Sequence, residues 1–471
     1  MALVNNYNFL VVFFVTFGSL TYGYNSAIIG AVIGLPSFFE YFSIDIKSNE
    51  GSRITGATNG LFAGGGLLGC FLITYLADKI GRKRSIQATA VLCIIAGALQ
   101  AGSVHIAMFL VARFMMGVGV GMVNVITPLY QSEVSPAKSR GRLVGSHGFI
   151  LCVGYGLAGW TGYGCYFLKS QVAQWRLCLA LQIVPPLCLL LGSPWLPESP
   201  RHLVARDRQE EGFAILKRLH HAPGDIDFTI AREELYQIRQ QLELEKREGW
   251  QRGYIQGWIL LFSKKSYRKR LLFGFVLLYG RNLRCLVINN YQVLLYNGLN
   301  LYGAMPLMLY AIWDTWAAFM NFVNAMLLDK VGRIPIMVVG QSEVVTFFGG
   351  SMDASSYVYS SEIFPTSIRA QGSGFSVSGL FAFSLIYTMC APVAFNTIGW
   401  KYYLIFIIIP LFGALGMYLF YPETKGLALE EIAAKFGDEV AVDLTNLSAE
   451  ERLRLDKTLV NSEIMELEHK V

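Results

Sequence analysis

Charge is scarce in this chain: Asp, Glu, Lys and Arg make up 15% of 471 residues, against roughly 25% in soluble domains. That shortage excludes one solvated core. Histidine is also rare, with six copies, and most of the eight cysteines, including Cys70, Cys93, Cys152, Cys178 and Cys390, lie inside apolar stretches. No metal-ligand spacing appears, so neither a metal centre nor a disulfide framework is expected, and packing is the default role of these thiols. There is no nucleophile triad and no phosphate loop, so an enzyme is not expected and no cofactor is implied. The net charge of +6 is modest and clustered in short loops, which argues against a nucleic-acid partner.

Apolar residues, by contrast, make up 54% of the chain. Stretches of spanning length run over 9–32, 54–77, 86–104, 106–129, 143–167, 176–195, 270–296, 302–327, 368–393 and 399–421, and a weaker one over 334–361. The first lacks a basic leader and a small-residue cleavage site, so Met1 is expected to remain. Lys79, Arg82, Lys83 and Arg84 follow the second stretch, and a heavily charged segment follows the sixth, which assigns both to the cytoplasm. The expected fold is an all-α multi-pass bundle with the lipid bilayer as its solvent. Its divisions are 1–196, a six-helix bundle; 197–267, a cytoplasmic central loop with short helices; 268–421, a second bundle; and 422–471, a cytoplasmic tail.

One loop pattern occurs twice. Asp78-Lys-Ile-Gly81-Arg82 precedes Tyr130-x-x-Glu133-x-x-Pro136-x-x-x-Arg140, and Asp329-Lys-Val-Gly332-Arg333 precedes Tyr359-x-x-Glu362-x-x-Pro365-x-x-x-Arg369. This is an internal repeat. A basic anchor explains the cations but not the recurring Asp, Gly and Glu, which fit ion pairs that latch two half-bundles on one membrane side. Glu198 and Glu423, each just past the last span of its half, supply further acceptors. Glycines such as Gly65, Gly66 and Gly69 permit close helix approach, which suits static packing as well as sliding.

These blocks, together with Gly23-Tyr24, Arg113, Pro197-Glu-Ser-Pro-Arg201, Ser361-Glu-Ile-Phe-Pro365 and Pro422-Glu-Thr-Lys-Gly426, resemble the sugar porter family of the major facilitator superfamily. Val287-Ile-Asn-Asn-Tyr-Gln292 and Gly162-Tyr-Gly-Cys-Tyr166 look like its fungal hexose-transporter branch. The resemblance implies alternating access around a small sugar, in a membrane expected to be the plasma membrane. It also implies a cytoplasmic latch of Asp78, Gly81, Arg82, Glu133, Arg140, Glu198, Asp329, Gly332, Arg333, Glu362, Arg369 and Glu423.

Proton symport needs a titratable group in the pathway. Proton-coupled relatives carry Asp after Gly-Tyr, facing the arginine that matches Arg113, whereas this chain has Asn25. An amide cannot carry a proton, so downhill transport is the favoured expectation and protons stay open as a partner. The sugar contacts depart further from the family. Gly148 stands where span five usually has Gln, with His147 beside it, and Gly280 and Arg281 replace paired amides in span seven. The remaining polar candidates are His147, Asn289, Asn290, Tyr291 and Gln292. Counting back from the turn at 299–302 places Arg284 level with Asp314, which predicts a buried ion pair.

The second repeat is short. Asp78 to Glu133 spans 55 positions but Asp329 to Glu362 only 33, a deficit of 22, about one crossing. The second half is therefore expected to lack about one helix, with truncation near 341–348. Either 334–361 is re-entrant, turning at Gly349, Gly350 and Ser351, or it crosses once and inverts everything beyond it. The expected function is hexose-like monosaccharide transport, facilitative rather than proton-coupled. A non-transporting sugar sensor is the alternative of a different class.

Overall fold

The computed structural model describes residues 5–45, 48–136, 139–221, 228–247, 253–283, 286–342, 352–427 and 431–438, and among them it is helical with no strand. The first half comprises α1 (Asn6–Ile33), α2 (Pro36–Tyr41), α3 (Asn49–Ile80), α4 (Arg82–Ala101), α5 (Ile106–Val134), α6 (Arg140–Tyr166), α7 (Gln171–Leu181) and α8 (Val184–Gly192). Pro185 and Pro186 start a new helix, which is why the sixth apolar stretch is two helices. The central segment carries α9 (Pro200–Ala205), α10 (Gln209–His220), α11 (Thr229–Arg247) and α12 (Tyr254–Ser263). The second half comprises α13 (Lys265–Leu283), α14 (Leu286–Gly298), α15 (Met305–Val331), α16 (Arg333–Ser342), α17 (Asp353–Glu362), α18 (Arg369–Thr397) and α19 (Ile405–Phe420), followed by α20 (Ile432–Lys435).

Six of the described helical stretches are long and apolar enough to cross a membrane. The two halves meet mainly where α6 packs on α15 and α3 packs on α18. Within the first half, glycines bring backbones into contact: a Cβ at Gly121 would lie 2.2 Å from the Gly66 carbonyl oxygen, and one at Gly69 would lie 2.1 Å from that of Val118. Any larger residue would force α3 and α5 apart.

Among the described residues the short repeat holds two helices, α16 and α17, on either side of 343–351, which lie outside the described residues. α16 and α17 pack against each other, and Arg333 at the start of one bonds Glu362 at the end of the other at 3.2 Å. The chain therefore leaves and returns on one side. This overturns the single-crossing, inverted alternative, and Lys425 Nζ donating to the Lys330 carbonyl at 2.6 Å keeps the start of the tail on that same side. The proposed turn at Gly349, Gly350 and Ser351 lies outside the described residues.

Candidate functional site

The duplicated loops build the same structure twice. α3 ends at Gly81 with φ +88° and α15 ends at Gly332 with φ +115°, backbone that glycine adopts without strain. The turn then starts α4 or α16 with exposed amides, and a carboxylate from the far end of the same half caps them. Glu198 accepts from the N–H of Arg82 at 2.8 Å and of Lys83 at 3.3 Å, and Glu423 accepts from those of Arg333 and Ile334 at 2.9 Å. An anion at a helix N-terminus meets both free N–H groups and the helix dipole. A Cβ at Gly81 or Gly332 would collide with that carboxylate, at 2.5 and 2.7 Å.

The arginine that follows reaches inward. Arg82 holds Glu133 in a bidentate pair, both bonds at 3.0 Å, with Asp78 3.8 Å away. Arg333 pairs with Glu362, with Asp329 at 3.4 Å, and Thr424 donates to the second Glu362 oxygen at 2.9 Å. Both pairs lie within one half, a correction to the expectation that they bridge the halves; the aligned Gly turns point each arginine back into its own bundle. Bonds that do cross are Gln371 to Asp78 at 2.6 Å, the Arg142 N–H to Asp329 at 2.9 Å and Arg140 to the Leu427 carbonyl at 3.3 Å. Arg369 donates to the Phe364 carbonyl at 3.0 Å and also acts electrostatically on Glu133 across the halves.

Central-loop residues join this network, which sequence reasoning missed. His202 Nδ1 lies 2.7 Å from Arg82 Nη1 and must accept, so the ring is neutral; burial, and then the Arg82 charge, push its pKa down to about 3. His220 is the opposite case. Its Nδ1 lies 2.7 Å from Glu234 and its Nε2 lies 3.2 Å from the Val134 carbonyl, so both nitrogens face acceptors and the doubly protonated ring fits. Burial would lower its pKa, but Glu234 outweighs burial and raises it. Arg201 links Glu234, at 3.4 Å, to Thr366 of the second half at 3.5 Å.

Nearer the membrane midplane, Arg113 is fully buried and donates to the Asn25 backbone carbonyl at 3.0 Å, with its guanidinium 3.9 Å from the Phe62 ring centre. The Asn25 side chain turns away to the Thr21 carbonyl at 2.8 Å. The two residues are adjacent, as expected, but through backbone rather than side chain. Beside them lies a cavity of about 20 Å³ lined from the first half by Tyr22, Ser26, Asn59 and Phe62 and from the second by Asn290, Phe381, Ser384 and Thr388. That volume holds roughly one water.

Of the sugar-contact candidates, Asn290 lines the cavity and Tyr291 borders it, donating to the Thr388 carbonyl at 2.8 Å and accepting from Asn59 at 3.5 Å. Asn289 is half-buried and does not line the cavity, and Gln292 donates instead to Tyr296 one turn on, at 2.6 Å. His147 is fully buried, bonds Ser19 at 2.7 Å and stands edge-on to Tyr357 at 4.5 Å.

Arg284 lies outside the described residues, and with it the expected pair with Asp314; Asp314 is buried on α15. Among the described residues Arg281 forms an ion pair with Asp353. Arg281 also donates to the Tyr357 hydroxyl at 3.0 Å, and Asp353 accepts from the Cys152 thiol at 3.1 Å. Asn124 reaches Tyr357 from α5 at 2.8 Å, so the network ties the halves together. Asp353 and Tyr357 went unnoticed in the sequence because both follow the short stretch, whose course could not be assigned.

Comparison with known proteins identifies the architecture. The family model described as sugar (and other) transporter matches residues 11–348 and 336–436, two pieces that meet where the second repeat is short. The chain is 31% identical to the MFS-type transporter criB of Aspergillus cristatus, over 93% of this chain and 95% of that protein. It is 29% identical to a high-affinity glucose transporter of Kluyveromyces lactis, over 92% of this chain and 86% of the relative. The solved structure of the proton:xylose symporter XylE bound to 6-bromo-6-deoxy-D-glucose matches with a TM-score of 0.80 at 23% identity, covering 91% of this chain and 99% of that one. With paired half-bundles, a twice-built ion-pair network and these matches, the chain belongs to the sugar (and other) transporter family of the major facilitator superfamily, multi-pass membrane proteins that are not enzymes.

Proposed function

We propose that this protein carries a monosaccharide, or a polyol-like solute of similar size, across the plasma membrane by alternating access. One observation carries the reading: hydroxyl and amide groups of both halves, Ser26 and Asn59 against Asn290, Ser384 and Thr388, converge with the rings of Tyr22, Phe62 and Phe381 on one midplane cavity. Such groups exchange hydrogen bonds with sugar hydroxyls while the rings take the apolar ring face. The bundles over 1–196 and 268–421 rock about this point, the cavity widening toward one side at a time, while the Arg82 and Arg333 networks fasten the cytoplasmic ends. The relatives named as glucose transporters support a hexose.

Transport runs downhill. Asn25 offers Arg113 no carboxylate, and Asp353, the acid bonded nearest the centre, is engaged by Arg281 of its own half. The test is uptake of radiolabelled hexoses into proteoliposomes with internal pH recorded. Hexose-specific, saturable uptake with no proton movement is the expected result; sugar-induced acidification of the vesicle interior would establish symport. A second reading, a sugar sensor that does not transport, is favoured by the Arg281–Asp353 network across the middle, and complete absence of uptake alongside sugar binding would establish it.

A further inference from the structure

The most conspicuous surface outside the carrier pathway lies where the central segment re-enters the membrane. α12 has two faces. Gly257 and Leu261 are buried, and Trp258 packs toward Phe71 and Phe375 with ring centres 5.8 and 6.4 Å apart. The opposite face shows Ile255, Ile259 and Phe262 at 70%, 60% and 52% exposure, spaced i, i+4 and i+7 along one stripe. Three large apolar side chains in one row facing water would be costly.

A basic run follows at once: Lys264, Lys265, Arg268, Lys269 and Arg270. One carboxylate at the start of the tail meets two of these. Asp438 binds Arg270 and lies 3.2 Å from Lys264, and Ser266 donates to it at 2.9 Å. Lys265, Arg268 and Lys269 point away, exposed, and pair with no carboxylate among the described residues. They share one side of the first turns of α13 at i, i+3 and i+4, where like charges repel unless a counter-ion sits among them. Further along α13, Leu272 and Val276 are exposed at 60% and 43%, so the apolar stripe and the cations continue into the surface that faces lipid tails.

We infer that α12 lies in the cytoplasmic leaflet as an interfacial helix and that Lys265, Arg268 and Lys269 hold the phosphate of an anionic phospholipid beside it. The stripe enters the acyl boundary while the cations remain at headgroup level, the arrangement of amphipathic membrane-surface helices. The bound lipid fixes the end of the central loop to the root of α13, the first helix of the second half. The inference rests on the orientation of the loops and is independent of which solute is carried.

The test uses the full chain purified in neutral detergent, with thermal unfolding followed as phosphatidylserine, phosphatidylcholine or inorganic phosphate is added. Phosphatidylserine is expected to raise the midpoint, and phosphatidylcholine and inorganic phosphate to leave it unchanged. The triple variant K265Q/R268Q/K269Q should lose the phosphatidylserine response, with affinity down about a hundredfold, and keep its midpoint in phosphatidylcholine. If the triple variant does not fold, Lys265→Gln alone should weaken the lipid response about fivefold. An undiminished response in the variant that folds, or an equal shift from phosphatidylcholine or from inorganic phosphate alone, overturns the inference.

Discussion

Removing the carboxylate of Asp353 should leave the protein folded poorly or not at all, because the Arg281 guanidinium would then be buried against one neutral partner. The Arg281 side chain is 5% exposed and that of Asp353 14%, and apart from Asp353 the described bond of the guanidinium is the one to Tyr357 at 3.0 Å. Breaking such a pair from one side costs about 3–5 kcal/mol. Asp353→Ala should fall in that range, with Arg281→Ala nearer its lower end, since the orphaned carboxylate keeps the Cys152 thiol at 3.1 Å and Asn321 at 3.5 Å. The double change R281M/D353L removes both charges together. It leaves two neutral groups without these charged partners, the Tyr357 hydroxyl, which keeps its bond from Asn124, and the weakly bonding Cys152 thiol, at about 0.5–1.5 kcal/mol each, and regains apolar packing. The double variant should therefore lose less than about 3 kcal/mol, leaving a coupling of roughly 3 kcal/mol or more. Denaturant unfolding in mild detergent, with all four proteins run as a cycle, measures this. Single losses that add to the double loss within about 0.5 kcal/mol would refute the pair as an energetic unit.

The duplicated loop network predicts two classes of variant: Arg82→Ala or Arg333→Ala should destabilise its own half, whereas Gln371→Ala, which removes the bond to Asp78, should mainly raise accessibility to thiol reagents from the side of Asp78. His220 has a raised pKa in the folded protein, so its contribution is complete below the unfolded value of about 6.5 and is lost as pH rises through the folded value. Glu234, held down to about 2 as the His220 charge beside it outweighs burial, contributes above its unfolded value and loses that only in strong acid. Protease nicking of the central loop should increase as pH rises from the unfolded value of about 6.5 through the raised folded value, and His220→Gln should flatten the profile. A cysteine introduced at Val440 should be labelled from the side of Asp78 and Lys330; labelling from the opposite side alone would remove the re-entrant reading of 333–362.

Much of this molecule was legible before its coordinates. The twin Asp-Gly-Arg and Glu blocks single out residues that the structure joins in ion pairs, Arg82 with Glu133 and Arg333 with Glu362, because the repeat isolates them from ordinary basic anchors. What the repeat could not convey was direction. Arg82 and Glu133 recur with Arg333 and Glu362 whether they pair within a half or between halves, and only the orientation set by Gly81 and Gly332 decides it. The midplane was harder. Counting depth along a straight span pairs Arg284 with Asp314, a pairing that lies outside the described residues; the same count offers no partner for Arg281, whose ion-pair partner Asp353 comes from beyond the short stretch. Asp353 follows a stretch whose path composition alone cannot set. His147 shows what residue type alone leaves open: a polar residue in an apolar span fits a ligand contact or a satisfied core histidine, and in the structure its Nδ1 bonds Ser19 while its Nε2 is buried without a hydrogen-bond partner.

The short course of 333–362 has a consequence for the lipids beside the exposed residues of α16, Pro335 and Val339, while α17 is buried. The 28 residues between Arg333 and Glu362 must run in and return, so each leg rises at most about 21 Å, short of a hydrocarbon layer about 30 Å thick, whereas α3 and α6 have 32 and 27 residues. The α16 flank thus presents a lower hydrophobic height than the long helices, and the bilayer must thin or the bundle tilt there, at a fraction of a kcal/mol per Å. That cost differs between the two orientations of the halves. Acyl-chain length then biases the conformational equilibrium, and turnover in reconstituted membranes becomes a function of bilayer thickness.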